Sequence, residues 1–234
     1  MRKVGSRRFQ LNPGQFPCKV SSGPKGFRVS EPVSKIKKAS PTLVYLFAGD
    51  DCAKDVADAV TKKAIETGTP LSSDFIDEAS ATELANYKGV VGNAFFDAYR
   101  KIIWVQMDGA GFAIWSAFYR GGRFVAATHP PEGDGRCNVY AGDPGNQALY
   151  TAEYYYNNGP LKSVCSLQRM AAHVILTGST FNASVRGLGM IVGKSNEFTW
   201  VPQEKIQALT DQSRRIHTGI DNYFNNPDSI LQAD

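Results

Sequence analysis

The stretch from Asn138 to Val201 constrains the fold of this chain more than any other part of the sequence. It runs through a short strand, a glycine-rich turn, two helical patterns in direct succession, a glycine-containing strand with a hairpin partner, and the start of a further helix. In a doubly wound parallel sheet, strands alternate with single helices. Helices that arrive in a sequential pair therefore exclude that architecture and favour antiparallel sheets covered by helix pairs.

The first half of the chain shows a similar order, in which strands are followed by two helices and then by strands again. β-Branched and aromatic runs predict strands, and apolar residues at steps of three and four predict helices. Aspartate before a helical pattern and glycine after it are typical of helix ends. The predicted elements are the strand Thr42–Ala48, a helix capped by Asp50 or Asp51 and closed by Gly68, a helical region Leu71–Ala98 broken near Gly89 or Gly92, and the strands Ile102–Met107, Phe112–Tyr119 and Phe124–Thr128.

The second half completes the pattern. Its predicted elements are the strand Asn138–Gly142, the helices Asn146–Asn157 and Leu161–Leu176, the hairpin strands Val185–Val192 and Glu197–Val201, and a helix from Gln203 to about Tyr223. Together the two halves predict an α+β fold, a four-layer α-β-β-α sandwich in which two stacked, mainly antiparallel sheets carry a helix pair on each outer face. We expect one domain over residues 1–234, with a basic, turn-rich segment 1–40, a sandwich body 41–224 and a tail 225–234.

Composition and cysteine use exclude several classes of protein. The chain has 234 residues, 42% of them hydrophobic and 21% charged, which is typical of a globular protein with a sizeable core. It contains no apolar run of the roughly 18–20 residues that a membrane span needs, and no secretory signal. The cysteines are scattered without a C-x-x-C pair, which predicts a cytoplasmic setting and neither a metal site nor a cofactor. They are Cys18, Cys52, Cys137 and Cys165.

Charge is distributed unevenly along the chain. Residues 1–40 hold ten of the 26 Lys and Arg residues but only one of the 22 Asp and Glu residues, Glu31. This segment therefore carries a net charge of +9, against −5 for the remainder. A basic arm on an acidic body fits nucleic acid or an acidic neighbouring subunit as a partner. The alternative interpretation is a solvated, partly ordered strand region.

Several short motifs occur in an informative order. Ser34–Lys38 precedes the buried strand, and Ala48–Asp51 leads into the first helix. Val139–Gly142 enters the glycine-rich turn before the third helix, and Arg186–Gly189 begins the strand after the fourth. From Ser21 to Tyr223, this order resembles the proteasome and the bacterial heat-shock peptidase ring, which belong to the N-terminal-nucleophile hydrolase superfamily.

The resemblance implies a subunit that assembles with itself into a ring and works with an ATP-dependent unfoldase. Its helix pairs would pack between subunits through the apolar faces of Ala53–Ile65 and Asn146–Tyr156. Members of the superfamily hydrolyse peptide bonds with a Thr, Ser or Cys that becomes the first residue after processing. Its α-amine, with a pKa of about 8, accepts the side-chain proton, and a nearby lysine ammonium lowers the pKa of the nucleophile.

The resemblance also assigns positions to the supporting groups. It places the lysine at Lys35, with Lys37 as the alternative. It places the oxyanion donor in the backbone around Gly142 and Asp143, although the Asp143 charge opposes an oxyanion unless the side chain points away. Asn182 stands where the superfamily has an aspartate, so it offers hydrogen bonds without the negative charge.

The nucleophile is the weakest part of the match. Ser6 is the nearest candidate, because cleavage after Gly5 would free its α-amine. Arg7 and Arg8, however, are unlike the apolar start of a buried catalytic strand, and Cys18 lies inside the chain and is interpreted as structural. We therefore expect that the scaffold is kept while peptidase chemistry is lost or altered. The alternative is that a processed N-terminus is missing from this chain.

Other motifs give no competing enzyme class. The sequence lacks G-x-S-x-G, H-E-x-x-H and G-x-x-x-x-G-K-[ST] patterns. His129, His173 and His217 are far apart in sequence, and we interpret His173 as a core or interface residue and His129 as a loop residue. The second hypothesis is a non-enzymatic module that binds RNA or an acidic partner through residues 1–40, with no membrane partner.

Overall fold

The computed structural model describes residues 18–23, 26–32, 34–108, 111–131, 137–142, 147–160, 162–181, 188–194 and 197–225. Within these ranges, no helix has an apolar stretch long enough to cross a membrane. In chain order the strands are β1 (Cys18–Gly23), β2 (Gly26–Pro32), β3 (Ile36–Ser40), β4 (Leu43–Ala48), β5 (Lys101–Asp108), β6 (Gly111–Arg120), β7 (Arg123–Thr128), β8 (Ile191–Lys194) and β9 (Glu197–Trp200). The helices are α1 (Asp51–Thr67), α2 (Ser73–Val91), α3 (Gln147–Asn157), α4 (Val164–Phe181) and α5 (Gln203–Asn225), with a 3₁₀ turn at Gly92–Ala94.

The strands form antiparallel sheets. The largest has five strands in the order β3-β4-β5-β6-β7, so each strand pairs with its neighbour in sequence, while β1 pairs with β2 and β8 with β9. The β8–β9 hairpin contacts the large sheet, because Phe198 N donates to Pro41 O at 2.8 Å. Gly193 faces Met107 and Phe198 so closely that a β-carbon would overlap the Met107 side chain. The absence of a side chain at Gly193 therefore allows this approach.

The first hydrophobic core lies between the five-stranded sheet and the pair α1–α2. Trp104 on β5 is completely buried, and its indole Nε1 donates to Thr61 Oγ1 on α1 at 3.0 Å. Small and β-branched residues line the facing side of α1 and allow the helix to approach the sheet closely. Those that are fully buried are Cys52, Ala53, Val56, Ala57 and Val60.

A second core lies between the β8–β9 hairpin and the pair α4–α5. Ala172, Met190, Val201, Ile206 and Leu209 form its buried cluster. One helix pair therefore covers the five-stranded sheet and another covers the second sheet. The predicted α+β fold class is confirmed.

Most predicted elements occur within a few residues of their expected bounds. The strands β4 to β7, the helix α3 and the helix α5 follow the periodicity closely, and α2 ends at Gly92, one of the two predicted break points. Gly68 closes α1 in the left-handed conformation, with φ +65° and its N–H donated to Ile65 O.

Other predictions are wrong in detail. The segment Asn138–Gly142 is not a strand, because side chains hold the backbone of this region: Tyr156 Oη accepts from Cys137 N, and Tyr99 Oη accepts from Gly142 N. The helix α4 begins at Val164 rather than Leu161 and runs beyond Leu176 to Phe181. The strand expected over Val185–Val192 covers only Ile191–Lys194 among the residues that the structure describes.

Much of the α1 face that was expected to pack between subunits is used inside the subunit. Ala53, Val56 and Ala57 are completely buried, whereas Ile65 at the end of the same face is 52% exposed. On the helix α3, Tyr150 and Tyr154 stay more than half exposed. More large apolar side chains are therefore exposed on α3 than on α1.

Candidate active site

Lys35 is fixed at both ends against the strand β4. Its backbone carbonyl accepts from Phe47 N at 3.0 Å, and its ammonium Nζ donates to Gly49 O at 2.9 Å. The Nζ also lies 4.6 Å from the centre of the Phe47 ring, within the range of a cation–π interaction. The cationic end of Lys35 therefore sits at the turn that connects β4 to α1.

Lys37 is engaged in a different interaction. Its Nζ lies 2.9 Å from Asp58 Oδ1 on α1, and the Asp58 carboxylate also accepts from the Tyr45 hydroxyl and from Lys54. Burial alone would raise the pKa of Asp58, but the hydrogen bonds from Lys37, Tyr45 and Lys54 outweigh burial and lower it. Lys37 therefore ties β3 to α1, which leaves Lys35 as the better candidate of the two lysines.

The turn after β4 requires glycine at position 49. Gly49 has φ +118°, a conformation that side-chain-bearing residues rarely adopt. A β-carbon there would lie 2.6 Å from Tyr99 O and 3.1 Å from the Arg100 side chain. The backbone of the β4–α1 turn is thus pressed against the segment that leads into β5, and this approach fixes the carbonyl that Lys35 contacts.

An ion pair with a buried arginine follows directly after this glycine. Asp50, the N-cap residue of α1, makes no side-chain capping bond, because its carboxylate receives two hydrogen bonds from Arg100, at 2.7 and 2.6 Å. Arg100 is 1% exposed, donates a further bond to Phe96 O and lies 4.8 Å from the Phe95 ring and 4.9 Å from the Tyr119 ring. The sequence analysis missed this pair, and no local signal could have revealed it, because the partners come from separate elements.

Gly142 lies near the same turn. It has φ +147°, and its N–H donates to the Tyr99 hydroxyl at 3.2 Å. The carbonyl of the same tyrosine fills the space above Gly49. Tyr99 therefore lies against both positions: its carbonyl oxygen is close to Gly49, the residue that Lys35 contacts, and its hydroxyl accepts from Gly142. The Gly142 N–H would have to leave the Tyr99 hydroxyl before it could serve an oxyanion.

The remaining predicted site residues are not placed. Ser6, Asp143 and Asn182 lie outside the described residues. The structure therefore describes Lys35 and Gly142 but not the other three residues, and the catalytic roles of all five stay predictions.

His129 is not a simple loop residue. Its backbone N–H donates to Ile114 O at 2.9 Å, which extends the pairing of β6 and β7. Its ring Nε2 lies 2.8 Å from Ser116 Oγ. Burial lowers the pKa of His129, and the nearby Lys101 charge lowers it further. A neutral imidazole bonded to a serine could act as a base, but Ser116 is 5% exposed and closed to a substrate. We interpret the pair as structural.

The other two histidines, remote in sequence, meet between α4 and α5. The rings of His173 and His217 lie 5.3 Å apart. Each also bonds the opposite helix, His173 Nδ1 to Ser213 Oγ and His217 Nε2 to Thr177 Oγ1, both at 3.1 Å. Burial lowers the pKa of His173, and the neighbouring His217 adds to this effect. The interpretation of His173 as a packing residue agrees with this geometry.

The fold of this chain is also found in proteins of known structure. Two solved structures share it: Anbu (ancestral beta-subunit) from Yersinia bercovieri, and an Anbu (Gly-1) mutant from Hyphomicrobium sp. strain MC1. The first is 12% identical and matches over 91% of both chains with a TM-score of 0.54. The second is 12% identical and covers 88% of this chain and 90% of its own, with a TM-score of 0.53. No family model and no curated protein matches the chain.

These comparisons correct the kinship inferred from the motifs. The assignment to the proteasome β-subunits and the heat-shock peptidase ring is wrong, because the two solved structures named above are Anbu proteins and no family model matches the chain. Identity of 12% shows a common fold alone. The order of elements carried the information about the fold, whereas the short motifs did not distinguish one branch of that fold from another.

Proposed function

We propose that the chain is a subunit of a self-associating ring in which the turn at Gly49 and the ammonium of Lys35 support hydrolysis of peptide bonds. The nucleophile comes from processing of the N-terminus, with Ser6 as the residue that cleavage after Gly5 would expose. The unprocessed chain is inactive, because an internal serine has no free α-amine to accept its proton.

The observation that carries the proposal is the position of Lys35. A lysine ammonium held beside a backbone turn lowers the pKa of a hydroxyl placed next to it, because it stabilises the alkoxide. Lys35 Nζ donates to Gly49 O at the β4–α1 turn and lies 4.6 Å from the centre of the Phe47 ring, whereas Lys37 reaches across to Asp58 on α1. The backbone around Gly142 and Asp143 supplies the oxyanion donor, and Asn182 orients the α-amine.

Self-association uses surfaces away from this site. The exposed tyrosines of α3, together with Val164 and Ile175 on α4, offer apolar area on one helix pair. Aromatic side chains are enriched at interfaces between subunits. We therefore place a contact between copies of this chain on the α3–α4 layer. The subunit is a single-domain, cytoplasmic protein. Its further partner is an ATP-dependent unfoldase or an acidic protein.

The basic segment 1–40 has a use within the fold. Of its ten basic side chains, Lys37 pairs with Asp58, Lys38 pairs with Glu197 at 3.1 Å, and Lys35 bonds Gly49 O. The carboxylates beside Lys37 and Lys38 offset part of the positive charge that would otherwise attract nucleic acid. They favour the ring subunit over the RNA-binding module.

The first test is the mature N-terminus. Intact mass spectrometry of the chain should show loss of the residues before Ser6, and the processed form should cleave unfolded peptides. Ser6→Ala should abolish the cleavage and Ser6→Cys should retain it in part. A processed chain that is inactive, or activity that survives Ser6→Ala, contradicts the assignment of Ser6.

A second test separates Lys35 from other lysines. Lys35→Met should reduce turnover of the processed chain by at least about a hundredfold, because the ammonium stabilises the developing alkoxide. Lys62→Met, at a lysine that is 74% exposed, serves as the control and should leave turnover unchanged. Light scattering after size exclusion should show a ring of several subunits, and a monomer would contradict the assembly.

A further inference from the structure

The pair Asp50–Arg100 connects the candidate site to the interior of the molecule. Arg100 is 1% exposed and makes two bonds to Asp50 and one to Phe96 O. Desolvation of a guanidinium is unfavourable, and a buried pair often stabilises a protein no more than apolar side chains of the same volume would. The pair therefore invites a role other than stability.

We propose that Arg100 is a positioning residue for Lys35: through Asp50 it holds the Gly49 carbonyl where that carbonyl accepts the Lys35 ammonium. The importance of Lys35 for hydrolysis rests on the proposed function, but the positioning itself is a property of the fold and can be measured without any activity.

The turn is clamped from two sides. On one side, the close approach of Tyr99 O and the Arg100 main chain and side chain leaves no room above Gly49. On the other, the two bonds from Arg100 fix the Asp50 carboxylate and keep it from capping its own helix. Since Asp50 follows Gly49 directly, the orientation of its peptide decides where the Gly49 carbonyl points.

Aromatic rings fix Arg100 in turn. The guanidinium carbon lies 4.8 Å from the Phe95 ring and 4.9 Å from the Tyr119 ring. The planar guanidinium therefore cannot rotate without losing these contacts, its two bonds to Asp50 and its bond to Phe96 O. A lysine at this position would keep the charge but could not make the bidentate contact.

Lys37, two residues further along on β3, provides an internal control. It points to α1 and pairs with Asp58, so it does not depend on the Gly49 turn. If the Asp50–Arg100 pair only stabilised the fold, its loss would affect Lys35 and Lys37 alike. If Arg100 positions the turn, its loss would affect Lys35 and spare Lys37.

The experiment compares the rates at which an amine-reactive reagent modifies Lys35 and Lys37, resolved residue by residue by mass spectrometry. The variants are Arg100→Lys and Asp50→Asn. Glu78→Gln, which removes an exposed partner of Lys63, is the control. In Arg100→Lys we expect the ratio of the Lys35 rate to the Lys37 rate to rise about tenfold, which corresponds to loss of a charge-assisted hydrogen bond. Asp50→Asn should raise the ratio less, and Glu78→Gln should leave it unchanged.

The proposal is overturned if the ratio stays at its wild-type value in folded Arg100→Lys and Asp50→Asn. If neither single variant folds, the double variant Asp50→Leu with Arg100→Met restores an apolar interior, and the same ratio decides. An unprocessed or inactive wild-type chain contradicts the proposed function but leaves this ratio as a valid measurement. In an active ring, Arg100→Lys should also shift the pH profile of hydrolysis, whereas Glu78→Gln should not.

Discussion

Substitution of Gly49 by alanine gives a direct test of the geometry at the candidate site. The new β-carbon would lie 2.6 Å from Tyr99 O, a backbone atom that cannot move aside as a flexible side chain could. The φ of +118° adds strain, since residues with a β-carbon rarely adopt it. Strain of this kind costs about 1–3 kcal/mol, and overpacking costs a further ~1–3 kcal/mol. We expect Gly49→Ala to lower the free energy of unfolding by about 2–6 kcal/mol.

Gly68→Ala is the matched control. Gly68 also has positive φ, at +65°, but no atom lies within 4 Å of the position of its β-carbon. Only the conformational term applies there, so the expected loss is about 1 kcal/mol. Urea denaturation followed by tryptophan fluorescence would measure both variants under the same conditions.

The difference between the two variants isolates the close approach of the two chain segments. Equal losses at Gly49 and Gly68 would refute the argument that the β4–α1 turn is pressed against Tyr99. A loss at Gly49 that comes with faster modification of Lys35 would extend the result to the site, because the carbonyl that Lys35 contacts belongs to the same residue.

Three further predictions concern ionisable groups. The folded-state pKa of His173 is depressed, so the unfolded chain binds more protons below the ordinary histidine pKa of about 6.5, and stability should fall there by at most ~1.4 kcal/mol per pH unit. His173→Gln should reduce this slope in urea titrations between pH 7.5 and 5.5. The pKa of Asp58 is also depressed, so its contribution is present above the ordinary aspartate pKa of about 3.9 and is lost as pH falls through the folded value. Asp58→Asn should therefore destabilise the protein at pH 7 and matter less in acid. Burial raises the pKa of the Cys52 thiol to about 11, so iodoacetamide at pH 8 should modify the exposed Cys165 and spare Cys52.

Each of these predictions has an outcome that contradicts it. A His173→Gln variant with an unchanged slope would show that the histidine contact between α4 and α5 does not titrate as described. An Asp58→Asn variant that is as stable as the wild type at pH 7 would mean that the ion pairs of Lys37 and Lys54 with this carboxylate do not stabilise the folded protein. Modification of Cys52 at the rate of Cys165 would show that the first core opens to solvent.

The elements themselves could be read from the sequence because each depends on nearby residues. The apolar residues of α1 recur at helical spacing, and β4 is a continuous apolar run. Gly68 and Gly92 follow the ends of helices, and both have the positive φ that glycine readily adopts. The prediction of a strand over Asn138–Gly142 was wrong for the opposite reason. The backbone N–H groups of Gly142 and of the preceding Cys137 donate to tyrosine hydroxyls from distant parts of the chain, and no local pattern encodes those partners.

The roles assigned to the site residues stay predictions, and the structure adds contacts that the local sequence does not encode. The resemblance assigns the superfamily's lysine to Lys35, with Lys37 as the alternative. Only the structure shows that Lys35 contacts the Gly49 carbonyl and Lys37 the Asp58 carboxylate. The close approach of Tyr99 to Gly49 is also not encoded locally, because the two residues lie far apart in sequence.

By itself, the sequence determined the order of strands and helices, and with it the α+β class, because hydrophobic periodicity acts within single elements. Only the tertiary structure decided which side chains meet. Arg100 reaches Asp50 across 50 positions, and His173 lies beside His217 through contacts that span 40 positions. Such pairs depend on how the layers are stacked, and propensities that act over a single turn carry no information about residues so far away along the chain.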